Sequence, residues 1–535
     1  MYRVTDIKVN IEADSEDISA HIARRLSVSP VEVGDYHIVK KALDARKKNR
    51  LFFVYTVDVS LGKKAAASIM RRKVSGVFLK EPEPEISVTP GKMAMSHRPV
   101  IVGAGPAGIF AALTLARNGF RPLVFERGMD VATRARDVER FWLTGILDAE
   151  SNVQFGEGGA GTFSDGKLTT RINDSRVRSV LRDFVAAGAP EEIMYLNKPH
   201  IGTDKLRTVV KNLRLFMEKM GGEIYFGSKV TGLIIENDMV KGVVINGERE
   251  IFTDLVIMAV GHSARDTYEM LEEAGCPLDQ KAFSIGVRVE HRQCMIDKAQ
   301  YGSFAGHPRL GAADYQMVYK NSDLNRAAYT FCMCPGGRVV AAASEKNTVV
   351  TNGMSDYARD TGVANSAVVV SVTPDDFGSL QPLAGVEFQR KWEKAAYKAG
   401  GGDYIAPAQL MEDFLAGRPS NNLGENSWAT YLPGLKPGDL HDCLPGYVTS
   451  MLEEAMESFN RKLKGFAASQ AVLTGVETRT SAPVRLVRDA DRQSVGLSGL
   501  YPAGEGAGYA GGIISAAVDG IRAAEAVIGK FRKEL

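Results

Sequence analysis

The chain has 535 residues, of which 44% are hydrophobic and 24% charged, and its 66 basic and 64 acidic residues leave a net charge of +2. This balance is typical of globular proteins and excludes a wholly disordered chain, a collagen-like chain and a small disulfide scaffold. The five cysteines lack CxxC spacing, so we expect no disulfide framework and no metal site. The sequence has neither a signal-peptide pattern at its start nor an apolar run of about 18 residues, and therefore predicts a cytoplasmic protein without a membrane anchor.

Residues 1–95 are predicted to form a basic module, because they hold 17 basic and 12 acidic residues. An alternating strand at 4–11, a helix after it, and strand-like runs at 37–43 and 51–59 predict a small α+β unit resembling a ferredoxin-like fold. The stretch 81–99, rich in proline and glutamate at its start, is typical of a linker. We therefore expect the module to fold independently and to be dispensable for the rest of the chain.

The strongest motif lies at 98–128, where an apolar strand, a GxGxxG turn, a helix, a second strand and an acidic residue follow one another. Such a unit binds a dinucleotide, because the glycines let a pyrophosphate approach the backbone and the helix N-terminus offers it N–H groups. Glu126 can accept hydrogen bonds from the adenosine ribose. The cofactor-binding residues predicted here are Gly103, Ala104, Gly105, Pro106, Ala107, Gly108, Glu126 and Arg127.

The motif resembles the FAD-binding fold of the glutathione-reductase-like flavoproteins, and later segments resemble further parts of that fold. The resemblance implies an adenine-side strand at 227–237, a second dinucleotide motif at 254–266, and a C-terminal flavin motif at 499–520 in which Glu505 replaces the usual Asp beside the ribityl chain. The glycine-rich stretch 152–171 resembles loops that cover the flavin in related reductases, although a flexible surface loop is the alternative. The further cofactor contacts implied are Gly158, Gly159, Gly161, Thr162, Val230, Ala259, Gly261, Gly504, Glu505, Gly512 and Ile513.

Longer motifs at 156–168, 329–337, 351–360 and 504–513 make the whole chain similar to a family of bacterial FAD-dependent dehydrogenases. The resemblance implies an α/β protein in which FAD exchanges a hydride with an unidentified small organic substrate. No second GxGxxG unit occurs, so the electrons are expected to come from transiently bound NAD(P)H or from the organic substrate. The implied domains are the N-terminal module at 1–95, a Rossmann-like FAD domain at 96–275 and 481–535, and an inserted α+β substrate domain at 276–480.

Cys332 and Cys334 lie on a predicted strand, where residues two apart project from the same face. Three interpretations remain open: small apolar fillers, residues that line the substrate cavity over the flavin, and a redox thiol pair.

Ser355, Arg359 and Asn365 are candidates for binding an anionic or carbonyl group, although solvated helix caps explain them equally well. His262, after a glycine turn, is expected to be structural.

An FAD-containing nucleic-acid-binding or RNA-modifying protein is the alternative function, because basic runs occur at 40–50 and 63–73. A solvated charged face explains these runs as well, and the chain lacks the aromatic-rich pattern of RNA-recognition motifs. The sequence leaves the oligomeric state open.

Overall fold

The computed structural model describes residues 1–13, 17–82, 87–424 and 427–533. Its main layers are a four-stranded antiparallel sheet, a five-stranded parallel sheet and a seven-stranded mixed sheet, so the expected α/β fold is confirmed. Residues 83–86 of the predicted linker lie outside the described residues. No helix in the described ranges is long and apolar enough to cross a membrane.

The N-terminal module has the βαββαβ order of a ferredoxin-like fold. Its elements are β1 (Tyr2–Asn10), α1 (Ser19–Leu26), β2 (Val33–Asp44), β3 (Phe52–Leu61), α2 (Lys63–Arg72) and β4 (Val77–Leu79). The strands are ordered β2-β3-β1-β4, and every neighbouring pair is antiparallel. This is the arrangement of the split βαβ unit, so the expected ferredoxin-like topology is confirmed.

The module packs tightly on the rest of the chain. The Lys41 N–H on β2 donates to the Tyr195 carbonyl at 2.7 Å, and the Asn197 N–H donates to the Lys41 carbonyl at 2.9 Å. Arg309 donates through Nη1 to the Ile11 carbonyl at 2.9 Å. Apolar residues of the module and of the middle part of the chain form one continuous core. This shared core argues against an independently folding module.

The FAD-binding part of the fold begins with short, fully apolar strands, as expected for strands that helices cover on both faces. Its first elements are β5 (Val100–Val102), α3 (Pro106–Arg117), β6 (Leu123–Phe125), α4 (Val131–Thr144), α5 (Arg176–Ala186), α6 (Thr203–Lys219), β7 (Glu223–Tyr225), β8 (Val230–Glu236), β9 (Met239–Ile245), β10 (Arg249–Phe252), β11 (Val256–Met258) and α7 (Arg265–Glu273). Strands β8 to β10 form a separate antiparallel sheet.

The middle of the chain is built on a large sheet with the order β14-β15-β18-β13-β21-β19-β20. The elements of this middle part of the chain, inside and outside that sheet, are β12 (Leu278–Gln280), β13 (Phe283–Arg292), α8 (Gln293–Tyr301), β14 (Val318–Asn321), β15 (Arg326–Cys334), β16 (Arg338–Ala341), β17 (Thr351–Met354), β18 (Val363–Val372), α9 (Ala384–Gly400), β19 (Ala406–Leu410), α10 (Met411–Leu415), β20 (Leu435–Pro437), α11 (Gly446–Lys462), β21 (Val472–Glu477) and β22 (Val484–Leu486).

The last two elements, β23 (Leu500–Pro502) and α12 (Ile513–Lys530), complete the FAD-binding part. The parallel sheet has the order β23-β11-β5-β6-β7, so the C-terminal strand lies beside β11. Helix α12 packs so closely on α3 that a Cβ at Gly520 would lie only 2.0 Å from the Ala107 carbonyl oxygen. The N-termini of α3 and α12 therefore belong to one compact unit.

The structure differs from local sequence patterns at two places. The helix-like composition of residues 408–415 corresponds to a helix only from Met411 onward, in α10, because Ala408 and Leu410 pair with β21 at the end of β19. The stretch 351–367 contains β17 and the start of β18, so Ser355, Arg359 and Asn365 are not helix caps.

Candidate functional site

The GxGxxG turn is in direct contact with two of the segments predicted to bind the cofactor. Gly103 has a φ of +99°, and a Cβ there would lie 2.4 Å from the Ala259 carbonyl oxygen. The Gly158 N–H donates to the Ala104 carbonyl at 2.8 Å. A Cβ at Gly159 would lie 3.0 Å from the Cα of Gly105. The glycine-rich stretch is therefore a packed loop against the turn and not a flexible surface loop.

Glu126 ties these segments together from the end of β6. Its Oε2 accepts the Ala104 N–H at 2.7 Å, and its Oε1 accepts the N–H groups of Gly128 and Gly156, both at 2.9 Å. A carboxylate accepts about four hydrogen bonds, so about one position remains for a ribose hydroxyl. The start of the adenine-side strand lies close by, because the Ser228 N–H donates to the Glu126 carbonyl at 2.9 Å, two residues before Val230.

Arg127 makes its contacts within the protein. Its guanidinium donates to Glu150 at 2.6 Å and to Asp266 through two bonds of 2.8 Å. It also lies over the Phe155 ring, 4.1 Å from the ring centre. Its predicted cofactor contact stays a prediction, since two carboxylates already neutralise the charge.

The C-terminal motif at 499–520 contacts the turn at 259–261 and the glycine-rich loop. The Gly504 N–H donates to Asp519 on α12 at 2.8 Å. A Cβ at Gly506 would lie 2.3 Å from the Gly261 carbonyl oxygen, and a Cβ at Gly161 would lie 3.1 Å from the Ile513 side chain. The turn at 259–261, the loop at 156–162 and the start of α12 thus converge on the N-terminus of α3.

The cleft between these segments has the features that FAD requires. It is lined by Gly105, Pro106, Ile109, Phe110, Gly158, Gly161, Thr162, Phe184, Leu206, Val210, Leu213 and Ile513. The backbone is open at Gly261 and Gly512, where no heavy atom of the described residues outside the chain neighbours lies within 4 Å of an added Cβ. The first turns of α3 and α12 supply N–H groups without intrahelical partners.

The surroundings of the Glu505 carboxyl also fit the cofactor. Its carboxyl has no hydrogen-bond partner among the described residues, and burial raises its pKa to about 7 even though Lys281 opposes the shift. A ribityl hydroxyl would give this carboxyl the partner it lacks.

The expectation that Cys332 and Cys334 project from one face of a strand is wrong. Strand β15 pairs with β18 up to Phe331 and again at Cys334, with a bulge between them, and Cys332 has a φ of +41°. A bulge breaks the two-residue alternation of a strand. Cys332 is exposed, whereas Cys334 is buried and its thiol donates to the Cys332 carbonyl at 3.2 Å.

Two cations hold this bulge. The fully buried Arg288 donates through Nη1 to the Cys332 carbonyl at 2.9 Å and binds Glu477 through two bonds of 2.8 and 2.9 Å. Lys167, just after the glycine-rich loop, donates through Nζ to the Met333 carbonyl. The bulge is therefore connected directly to the loop that packs on the GxGxxG turn.

The two thiols stay protonated at neutral pH. Burial raises the pKa of Cys332 to about 12 and also raises the pKa of Cys334, although nearby Lys167 opposes both shifts. Burial thus opposes ionisation of the Cys332 thiol even though its side chain has exposed surface. A low-pKa thiolate, which a redox pair requires, does not fit these surroundings.

The three predicted substrate contacts all have partners within the chain. The Ser355 hydroxyl donates to the Pro335 carbonyl at 2.9 Å, and Arg359 binds Asp165 through bonds of 2.9 and 2.5 Å. Asn365 accepts a bond from Arg288 at 3.0 Å, and its Nδ2 is buried without a partner among the described residues. Their role as substrate contacts stays a prediction.

The turn after Cys334 contains two glycines that lie against other parts of the chain. A Cβ at Gly336 would overlap the Arg359 carbonyl, and one at Gly337 would lie 2.4 Å from the Met354 carbonyl oxygen. These glycines allow two segments of the chain to pack closely against each other.

A buried ion-pair network beside His262 has no counterpart in the sequence prediction. Glu393, which is fully buried, accepts hydrogen bonds from Arg265 at 2.6 Å and from Arg479 at 3.1 Å. Burial and these two arginines lower the pKa of His262 to about 3, so His262 is neutral at physiological pH. A neutral, enclosed histidine agrees with the expected structural role.

Sequence reasoning also missed Lys167, Asp165, Arg288 and Glu477. Arg288 interrupts the apolar run Ile285–Val289 of β13, and a charge in such a run is a signal of a buried ion pair. Lys167 and Asp165 lie within the quoted glycine-rich motif, but nothing in the motif shows that they face a bulge 166 residues further along the chain.

Three family profiles match parts of the chain. Residues 282–480 match the family described as FAD-dependent protein, C-terminal domain-like, and residues 101–161 match the NAD(P)-binding Rossmann-like domain. Residues 1–60 match a domain of unknown function.

Relatives cover either the whole chain or about half of it. An uncharacterized protein of Clostridium beijerinckii is 49% identical over 529 residues, which are 99% of each chain. A digeranylgeranylglycerophospholipid reductase of Haloferax volcanii is 27% identical over 250 residues, 46% of this chain and 52% of that protein.

Two solved structures to which the chain is similar are more distant. CtdE, solved in complex with FAD, is 13% identical with a TM-score of 0.31 and covers 81% of this chain and 83% of its own. A geranylgeranyl bacteriochlorophyll reductase-like protein of Thermoplasma acidophilum is 15% identical with a TM-score of 0.33 and covers 80% and 77%.

Proposed function

The chain belongs to a family of FAD-dependent oxidoreductases, and from that premise we propose that it is a dehydrogenase or reductase of a small organic substrate, within the glutathione-reductase-like superfamily. Bound FAD supplies hydride transfer at its N5 atom. The observation that carries the proposal is the convergence of the GxGxxG turn, the glycine-rich loop and the C-terminal motif on one cleft, with the Cys332 bulge connected to it through Lys167.

The residues of the cleft hold and orient the cofactor. The N-terminus of α3 binds the phosphates through free N–H groups, and Glu126 keeps the turn and the loop in place around them. Glu505 meets the ribityl hydroxyls. The N-terminus of α12, at Gly512 and Ile513, offers N–H groups and a positive dipole where negative charge develops during reduction.

The middle domain supplies the wall on the substrate side. Arg288 and Lys167 bind the carbonyl groups of Cys332 and Met333 and so hold the bulge that leaves the Cys332 side chain exposed. Its protonated thiol is a weak hydrogen-bond donor to a substrate, while Cys334 fills space behind it.

The electron donor is either transiently bound NAD(P)H or the organic substrate itself. Anaerobic mixing of the yellow protein with NADH, NADPH or a candidate organic donor tests this, because reduction bleaches the visible flavin absorbance. Bleaching by a nicotinamide within a catalytic time would support a reductase. If only organic donors bleach the flavin, the protein is a dehydrogenase, and if neither class does, the proposal is wrong.

The alternative of a nucleic-acid-binding flavoprotein gains no support from the matched families. Two cations of the basic run at 40–50 make contacts within the protein. The Lys41 ammonium lies 4.6 Å from the centre of the Phe53 ring, and Arg46 binds Asp44 at 2.6 Å. A cytoplasmic location belongs to the proposal, since the five cysteines are free and a reducing compartment keeps thiols in that state.

A further inference from the structure

The charges around the bulge do not cancel. The charged groups that act on the two thiols are the cations of Lys167, Arg288 and Arg359 and the carboxylates of Asp165 and Glu477. Arg288 and Glu477 neutralise each other as a bidentate pair. Asp165 is left between two cations, with Arg359 at 2.5 Å and Lys167 at 3.2 Å. One positive charge therefore remains next to the thiols.

No nearby titratable group removes that charge. Although burial opposes ionisation, Lys167 and Arg359 lower the pKa of Asp165 to about 2. Burial likewise opposes the charge of Lys167, but Asp165 raises its pKa and keeps the ammonium protonated. Burial and Arg359 lower the pKa of His200, which lies beside Asp165 and stays neutral. The excess charge is therefore permanent over the physiological pH range.

Lys167 has a donor to spare beside the exposed Cys332. An ammonium carries three N–H groups, and those of Lys167 have the Met333 carbonyl and Asp165 as acceptors among the described residues. About a third of the side chain (31%) is exposed, and its charge acts on the exposed Cys332 thiol. A cation in such surroundings interacts with an anion far more strongly than it does in water.

We propose that Lys167 is a substrate-binding residue and that the substrate of this enzyme carries a carboxylate, which binds between the Lys167 ammonium and the Cys332 thiol. The inference rests on the proposed function, because it places the reactive part of the substrate beside the flavin. The proposal assigns the anion site to Lys167 and not to Arg359, because the Arg359 guanidinium is already bound by Asp165.

The test is a titration of the FAD-loaded protein with acetate, benzoate and phenylacetate, each compared with its uncharged primary amide. Binding is followed through the visible flavin absorbance. We expect saturable spectral changes with carboxylates and not with the amides. Lys167→Met should weaken carboxylate binding about tenfold or more, as for loss of a charged hydrogen bond, while Lys167→Arg should retain most of it.

The matched control is Lys198→Met, because Lys198 also binds one carboxylate, Asp314 at 2.7 Å, but is exposed. It should leave the carboxylate affinity unchanged. A purely structural Lys167 would lower the FAD content or the melting temperature of Lys167→Met together with its carboxylate affinity. If Lys167→Met does not fold, competition in the wild-type protein replaces it, and added nitrate should then displace bound benzoate.

Three results would overturn the inference: equal affinity for carboxylates and amides, unchanged carboxylate binding in Lys167→Met, or no response of the wild-type flavin to any carboxylate. The FAD content of the same samples separates this failure from a failure of the proposed function. A wild-type protein without FAD contradicts the function, whereas a fully loaded protein that ignores carboxylates contradicts only the role of Lys167.

Discussion

Cys332 and Cys334 are two residues apart, yet their sulfur atoms have different surroundings. The bulge leaves the Cys332 side chain exposed and the Cys334 side chain buried, with the Cys334 thiol donating to the Cys332 carbonyl. Both thiols are protonated because burial raises their pKa. Cys332→Ser and Cys334→Ser should therefore each keep FAD and change turnover only modestly.

The electron count of an anaerobic reductive titration checks this residue-scale account. A simple flavin site takes up two electrons per chain, and the serine variants should take up the same number. Four electrons in the wild type, with two lost in either variant, would show that the cysteines are a redox pair.

A raised thiol pKa also predicts slow alkylation. Because burial raises the pKa of Cys332 to about 12, very little reactive thiolate is present at about pH 8. Iodoacetamide should label the exposed Cys294 much faster than Cys332, and the rate at Cys332 should keep rising as the pH approaches its pKa. Peptide mass spectrometry measures both rates, and equal labelling at neutral pH would contradict the account.

At the scale of elements, His441 connects α11 to the short 3₁₀ helix Leu440–Cys443. Its Nδ1 lies 2.6 Å from Asp439 and its Nε2 lies 3.0 Å from Glu453. Partial burial opposes the charge, but these two carboxylates raise the pKa of His441 above its usual value. The two ion pairs of His441 therefore stabilise the folded state fully at pH values below about 6.5, the pKa of histidine in the unfolded chain. This stabilisation is lost as the pH rises through the higher pKa that His441 has in the folded state.

His441→Gln should lower the melting temperature more at about pH 5.5 than at about pH 9. Thermal unfolding of the variant and the wild type at both values measures the difference. The exposed His37→Gln is the control and should show no such pH dependence. A larger effect of His441→Gln at the alkaline value would mean that the sign of the coupling is wrong.

Element order was predictable where local patterns and pairing agree. In the N-terminal module, three strands and the first helix follow from alternation and polarity, whereas α2 and β4 were not predicted. The turn at 103–108 follows from glycine spacing. The end of β19 was not predictable, because helix-like composition at 408–410 is overridden by pairing with β21. The bulge at Cys332 was equally hidden, since it depends on cations from β13 and from the loop after Gly161.

At the scale of the whole molecule, the N-terminal module shares its core with the middle domain but contributes no residue to the FAD cleft. A chain that begins at Ser96 should therefore still bind FAD, while its melting temperature falls by several degrees because apolar surface around Arg309 becomes exposed. Flavin absorbance and thermal unfolding of the shortened chain measure the two effects. An unchanged melting temperature would show an independent module, and loss of FAD would show that the module supports the cleft.

The cofactor site could be located from the sequence because its glycines serve backbone contacts that side chains cannot replace. A Cβ at Gly108, for example, would lie 1.9 Å from the Gly103 carbonyl oxygen. The substrate side could not be located from the sequence, because Lys167, Asp165 and Arg288 come together only through the packing of distant segments.

The FAD content of Gly105→Val tests the central claim most directly. Gly105 has an ordinary φ of −75°, and among the described residues outside its chain neighbours only the Gly159 Cα, at 3.7 Å, lies within 4 Å of an added Cβ, so the protein itself tolerates a side chain there. The space that valine fills is the space that the pyrophosphate needs. We expect one FAD per wild-type chain and a folded but colourless Gly105→Val protein. A full complement of FAD in Gly105→Val would contradict the account.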